Sequence, residues 1–142
     1  MRTRLAIALL LVALVVAVFA QVRDHAFVNY DDLIYVVENP MLQRGLGAGS
    51  VARAFRPYET NWIPLTWISL QLDHALYGKQ PAGYLLTNVA LHILSSLLLF
   101  AALRGMTGRL GASAFVAAVF AVHPLHVESV AWASERLSLI HI

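Results

Sequence analysis

The sequence contains no cysteine, and only 13% of its residues are charged. Without cysteine the chain can form no disulfide framework, no thiolate zinc site and no cysteine nucleophile. Its formal net charge is only +2 and its basic residues do not gather into a patch, so nothing supports nucleic-acid binding. Low charge together with 59% hydrophobic residues is typical of membrane proteins, because soluble domains carry about 25% charged and about 45–50% apolar residues.

Three uncharged stretches are long enough to be membrane spans: 5–22, 81–103 and 110–127. As a helix, the first extends roughly 27 Å, close to the hydrocarbon thickness of about 30 Å. A cleaved signal peptide is the alternative, because Arg2 and Arg4 precede this stretch. We favour a span because the apolar region exceeds the usual length of about 7–15 residues. The sequence therefore predicts an all-α integral membrane protein with three transmembrane helices.

Basic residues in the short loops predict the orientation of these spans. Arg2 and Arg4 precede the first span, and Arg104 and Arg109 flank the turn between the second and the third. The positive-inside rule places these four residues in the cytoplasm. The long loop 23–80 and the chain after the third span are then expected on the outer side.

The outer loop, residues 23–80, is rich in aromatic residues, which disordered segments lack. Pro64 suits the first turn of a helix. A second short helix is predicted over 51–55, with Ser50 as its cap. We expect both to lie along the membrane surface. Apolar residues recur at helical spacing after Pro64, at Leu65, Ile68, Leu72 and Leu76. The aromatic residues of the loop are Phe27, Tyr30, Tyr35, Phe55, Tyr58, Trp62, Trp67 and Tyr77.

The acidic pair Asp31-Asp32 in the outer loop is the first candidate site. Neighbouring side chains point in different directions in both helices and strands. At most one of the two carboxylates can therefore face a given substrate atom. The alternative is a solvated turn in which one of them caps a helix.

The second candidate site is at the end of the third span, where His123, His126 and Glu128 fall within six residues. Two imidazoles and a carboxylate are metal-ligand types, but this spacing does not share one helix face and no HExxH motif is present. Convergence on a metal would require Pro124 to break the helix, so a divalent metal is not expected. We favour hydrogen bonding to a sugar or a phosphate; the alternative is polar residues that simply end a membrane helix.

Two further groups of polar residues are candidates for binding or packing roles. Arg56 precedes Pro57 and Tyr58, and its guanidinium can clamp a phosphate, while the aromatic residues nearby can cover a sugar or anchor the loop at the interface. Within the second span, Asn88 and His92 are four residues apart and share a helix face. We predict that these two join helices to one another.

Four segments occur in a distinctive order: F-V-N-Y-D-D-L-I-Y-V-V-E-N-P (27–40), N-W-I-P-L-T-W-I-S (61–69), L-Y-G-K-Q-P-A-G-Y-L-L-T-N-V-A-L-H (76–92) and H-P-L-H-V-E-S-V-A-W-A-S-E-R (123–136). Together they resemble the bacterial relatives of the transmembrane and tetratricopeptide-repeat O-mannosyltransferases, which are membrane glycosyltransferases of the GT-C superfamily. The resemblance implies a partial GT-C fold in which residues 1–142 are the N-terminal part of a polytopic domain. It also implies a bacterial inner (plasma) membrane, with the outer loop in the periplasm.

The resemblance further implies a reaction. A mannose-like sugar would move from a polyprenyl-phosphate donor to a protein hydroxyl, with no cofactor. Asp31 would be the general base, and Asp32 its partner or a ligand to the acceptor. The other residues implied in substrate binding are Arg56, His123 and His126, as groups that stabilise the leaving phosphate, and Glu128, which would orient an imidazole.

The chain departs from the family pattern in two ways. Ile63 and Leu85 stand where a basic or imidazole residue and a histidine are common, so donor binding is expected to be altered. After Arg136 the family continues into another membrane helix, whereas this chain reads L-S-L-I-H-I, so we expect a fragment that is inactive alone. The alternative function is a non-catalytic membrane anchor for a tetratricopeptide-repeat scaffold.

Overall fold

The computed structural model describes residues 1–57 and 62–140, so Tyr58 and Asn61 of the predicted motifs lie outside the described residues. Within these ranges the chain is helical and has no strand. A 3-10 turn covers Ala20–Asp24, and a π-helical turn covers Leu33–Val37. The α-helices are α1 (Arg2–Phe19), α2 (Pro40–Gln43), α3 (Ala48–Ala54), α4 (Pro64–Tyr77), α5 (Pro81–Thr107), α6 (Leu110–Val122), α7 (His126–Ala131) and α8 (Arg136–Ile140).

Helices α1, α5 and α6 pack together as a bundle in which α5 is antiparallel to the other two. At one end the packing cluster consists of Leu11, Phe100 and Ala117. At the other end the Phe19 ring lies 5.4 Å from the His92 ring, and His92 Nε2 lies 3.0 Å from the Ala121 carbonyl oxygen. The C-termini of α1 and α6 therefore meet the N-terminus of α5, and we call this end of the bundle the outer end.

Among the described residues, two helices are long and apolar enough to cross a membrane. They are α1 with its 3-10 extension, Arg2–Asp24, and the 27-residue α5. Large apolar side chains stay exposed on both of them: Leu5, Leu9, Leu10, Leu86, Leu94 and Leu98. Apolar surface in water costs about 25 cal/mol per Å², and lipid removes that cost. The fold is consistent with an all-α membrane protein.

The third predicted span ends earlier than expected. Helix α6 has 13 residues and stops at Val122, so it extends only about 20 Å. His123 is extended, with φ −67° and ψ 130°, because a residue before proline is disfavoured in the helical region. The predicted continuation of this helix to Val127 is wrong, and a third span stays a prediction.

The outer loop forms a layer of short helices at the outer end. Helix α4 begins at Pro64, as predicted. Helix α3 begins before the predicted position, after Gly47, and places Ser50 inside its first turn. The prediction that Ser50 is the cap residue is therefore wrong, although its hydroxyl still accepts a 2.9 Å hydrogen bond from the Gly47 N–H.

Helix α4 buries polar side chains beside Trp67 and Leu70, and it exposes several leucines. Its buried face includes Thr66, Gln71 and Asp73, each at most 2% exposed, whereas Leu65 and Leu76 are 61% and 63% exposed. A surface helix in water usually carries polar residues, not leucines, on its exposed face. The position of α4 along a membrane surface, which would cover these leucines, stays a prediction.

A fully buried arginine, Arg136, joins α4 and α5 to the start of α8. Its Nη2 lies 2.5 Å from Asp73 Oδ2 and donates to the Tyr84 carbonyl at 2.9 Å. Its Nε donates to Asn88 Oδ1 at 2.7 Å, and Nη1 donates to Ser69 Oγ at 3.3 Å. Burial raises the pKa of Asp73, and the positive charge of Arg136 opposes that rise. We call this set of five residues the arginine clamp.

Asn88 extends the arginine clamp to α7. Its side-chain amide donates to the Trp132 carbonyl at 2.9 Å and to the Val130 carbonyl at 3.4 Å. Both Asn88 and His92 are fully buried. The prediction that these two residues join helices is confirmed.

Replacing Arg136 with Met should leave the Asp73 carboxylate buried without its cation. Removing one partner of a buried pair costs about 3–5 kcal/mol, so the variant should unfold in detergent at much lower temperature or denaturant concentration. Arg23→Met is the matched control, because Arg23 and its partner Asp24 are both largely exposed, and an exposed pair contributes about 0–1 kcal/mol. Equal stability of the two variants would contradict the proposed importance of the clamp.

Candidate functional site

A small open pocket lies at the outer end, between the π-helical turn, α4 and the chain that leads into α8. Its volume is about 80 Å³. Two acidic residues from distant parts of the sequence line it, Asp31 and Glu135. The other lining residues are Tyr35, Ile63, Thr66, Trp67, Leu70, Ser134 and Leu137. We call this cavity the acidic pocket.

The two members of the acidic pair have different surroundings. Asp31 is partly buried and lines the acidic pocket. Asp32 is 1% exposed and accepts two backbone hydrogen bonds, from the Val28 N–H at 3.0 Å and from the Ser134 N–H at 2.8 Å. The expectation that only one carboxylate of the pair can face a substrate agrees with this arrangement. The Asp32 carboxylate instead ties the outer loop to the chain after α7.

The backbone beside Glu135 is held on both sides. Ser134 is bonded to Asp32, and Arg136 is anchored by the arginine clamp. The Glu135 carboxylate is partly buried and accepts a 3.2 Å hydrogen bond from the Ser138 hydroxyl. Glu135 is therefore placed at the acidic pocket by two buried charges: Asp32, which accepts a hydrogen bond from the preceding residue, and Arg136, the following residue.

Two aromatic residues form one wall of the acidic pocket. The rings of Tyr35 and Trp67 stack with centroids 5.4 Å apart and an interplanar angle of 21°. Trp67 is fully buried, so it belongs to the core, whereas Trp62 is 62% exposed, as expected of an interface anchor. Ile63, which departs from the family pattern, also lines this pocket.

The histidines after α6 form a separate cluster. The His126 ring lies 4.4 Å from Phe120, 5.2 Å from His92 and 6.1 Å from His123. Burial lowers the pKa of His126, and the neighbouring His92 and His123 lower it further. His126 is therefore less readily protonated than a free histidine, which favours hydrogen bonding over a positive charge. Neither His123 nor His126 lines the acidic pocket.

The remaining predicted site residues are exposed. His123 Nδ1 accepts a 3.3 Å hydrogen bond from the Leu125 N–H. Arg56 follows α3, and Glu128 lies in α7; neither lines the acidic pocket. Within residues 1–57 and 62–140, no three side chains of the metal-binding types converge. The structure thus brings only Asp31, among the six predicted site residues, to the pocket itself.

Sequence reasoning missed Glu135, Thr66 and the clamp residues Asp73 and Arg136. Glu135 and Arg136 end the last of the four segments that carry the family resemblance. That position was the available signal. Nothing in the linear order shows that residue 135 lies beside residue 31, more than 100 positions earlier.

Comparison with known proteins finds a partial match to a transferase. Part of the chain is similar to Protein O-mannosyl-transferase Tmtc1 of Drosophila melanogaster, with 40% identity over 80 residues. The matched segment is 56% of this chain but only 9% of the fly protein. No family model matches the chain, and no solved structure does. The similarity supports a relationship to this type of transferase for part of the chain, and a bacterial source stays a prediction.

Asp32→Asn should destabilise the protein, because the amide presents an N–H group to one of the two buried backbone donors. A buried donor left without its acceptor costs about 1–3 kcal/mol, which thermal unfolding in detergent would detect. Asp24→Asn is the matched control, since that carboxylate is 75% exposed. An Asp32→Asn protein as stable as the control would exclude the proposed tie between the two segments.

Proposed function

We propose that this chain is the N-terminal part of a polytopic membrane glycosyltransferase that moves a sugar from a polyprenyl-phosphate donor to a protein hydroxyl. The observation that carries the proposal is the partly buried Asp31 at a pocket on the outer end of an apolar helix bundle. The similarity to the fly O-mannosyl-transferase supports a transferase of this kind. The sugar proposed is mannose-like, in keeping with the name of that relative.

In this proposal Asp31 is the general base. Its carboxylate takes the proton of the acceptor hydroxyl as that oxygen attacks the anomeric carbon, and the polyprenyl phosphate leaves with the electrons of the broken bond. A positioned base contributes about 10²–10⁴-fold to a rate. Asp32 serves as a positioning residue, because both of its oxygens already accept backbone hydrogen bonds.

The leaving phosphate requires positive charge or hydrogen-bond donors placed in advance. Arg56 and His123 are exposed at the outer end and are the proposed sources of such contacts. His126 would contribute a neutral imidazole, and Glu128 would orient a histidine. The polyprenyl chain would lie in the lipid against the exposed leucines of α1 and α5.

Asp31→Asn in the full-length protein should lower kcat for sugar transfer by about 10²–10⁴-fold, because asparagine cannot accept the proton. Transfer from a radiolabelled polyprenyl-phosphate mannose to a serine- and threonine-containing peptide would measure it. Asp24→Asn, an exposed acid of the same loop, is the matched control and should retain activity. Unchanged turnover in Asp31→Asn would overturn the assignment of the base.

The proposed location is the inner membrane, with the N-terminus in the cytoplasm and residues 23–80 in the periplasm. Because this chain has no cysteine, single cysteines report accessibility without background. Cysteines in place of the exposed Tyr30 and Leu125 should react with an impermeant maleimide from the periplasm. A cysteine in place of Met106, 83% exposed near the other end of the bundle, should react only after the membrane is opened. Labelling of Tyr30→Cys and Leu125→Cys from opposite sides would contradict the proposed topology.

A further inference from the structure

The acidic pocket contains more polar groups than a single general base requires. Besides Asp31, it is lined by three further polar residues, Glu135, Thr66 and Ser134. Thr66 is 1% exposed. In the part of the chain that the structure describes, neither Thr66 Oγ1 nor Ser134 Oγ has a hydrogen-bond partner.

Two buried hydroxyls without partners are unusual, because buried polar groups in folded proteins are almost always hydrogen-bonded. The missing hydrogen bonds destabilise the folded protein unless a ligand supplies the partner. Each hydroxyl can donate one hydrogen bond and accept others, whereas an ionised carboxylate only accepts. Glu135, Thr66 and Ser134 thus bring both donors and acceptors to the lining of one small pocket.

This mixture of groups matches a ligand that carries several neighbouring hydroxyls, each of which both donates and accepts. A phosphate would be repelled by two carboxylates, and an apolar chain would leave the hydroxyls unsatisfied. The stacked rings of Tyr35 and Trp67 form an apolar wall beside these groups, which suits the C–H face of a sugar ring. A pocket of about 80 Å³ holds one edge of such a ring and leaves the rest at its open mouth.

We infer that Glu135, Thr66 and Ser134 form a hydroxyl-binding subsite that holds one edge of a hexose ring next to Asp31. Glu135 accepts hydrogen bonds from two ring hydroxyls, and the two buried side-chain hydroxyls complete the set. The inference rests on the proposed function for the identity of the ligand, since the sugar bound there would be the one transferred.

The subsite is rigid for a reason that is independent of its ligand. The Ser134 N–H is held by Asp32, and Arg136 is held by Asp73 and Asn88. Thr66 lies in the first turn of α4, which carries the Asp73 and Ser69 members of the arginine clamp. The ligand therefore meets groups that are already in place, which lowers the entropy lost on binding.

The test measures binding of methyl α-D-mannopyranoside to the full-length protein in detergent by saturation-transfer NMR, with no transfer reaction involved. Glu135→Gln and Thr66→Val should each weaken binding about tenfold, since each removes hydrogen bonds to the sugar. Thr66→Ser, which keeps the hydroxyl, should bind as the unmodified protein does. Glu38→Gln, an exposed glutamate outside the pocket, is the matched control and should also leave binding unchanged.

Asp31→Asn separates this inference from the proposed function. If it abolishes transfer but still binds the methyl mannoside, both stand. If no variant or unmodified protein transfers sugar, yet Glu135→Gln and Thr66→Val lose mannoside binding, the transferase proposal fails and the subsite survives. Binding that is equal in Glu135→Gln, Thr66→Val and the unmodified protein, or absent in the unmodified protein at millimolar mannoside, would overturn the subsite. Thermal unfolding of each variant shows whether lost binding reflects lost folding.

Discussion

The outer half of this chain depends on a buried positive charge. Removing a guanidinium from water is costly, and only a complete set of partners compensates for it. Arg136 has that set, with a carboxylate from α4 and an amide and a carbonyl from α5 among its partners. Because these partners come from separate helices, the arginine fixes the angle of α4 against the membrane helix α5. The acidic pocket lies between α4 and the residue next to Arg136, so its shape follows from the same interaction.

The acidic pair illustrates how one dipeptide can serve two purposes. Asp32 is enclosed and holds the outer loop to a segment 102 positions away, while Asp31 faces the pocket. Both arrangements follow from the divergence of neighbouring side chains. If the proposed function holds, substitution of either residue should abolish activity, for a chemical reason at Asp31 and a structural reason at Asp32. Both the stability and the turnover of each variant have to be measured to distinguish these two reasons.

Local signals predicted much of the fold, whereas long-range contacts could not be foreseen. The length of the apolar stretches predicted helices α1 and α5, and Pro64 predicted the start of α4. The predicted end of α6 was wrong because it followed the uncharged composition up to Val127. Pro124 disfavours the helical conformation of the residue before it, and this local effect could have predicted the earlier end. The acidic pair was found because its residues are adjacent. Glu135 was missed because Asp31, the other acidic residue of the pocket, is distant in sequence. An isolated Glu-Arg dipeptide is typical of a solvated surface.

The exposed leucines of α4 have a practical and an evolutionary consequence. Its buried face carries Thr66, Gln71 and Asp73 beside Trp67 and Leu70, and its outer face carries Leu65, Leu72 and Leu76. In buffer without lipid or detergent, those exposed leucines would favour association between copies. On the exposed face of this helix, exchanges among apolar residues should be tolerated. On the buried face, the polar residues should tolerate few substitutions. For purification, the detergent should cover the exposed leucines of α4 as well as the helix bundle.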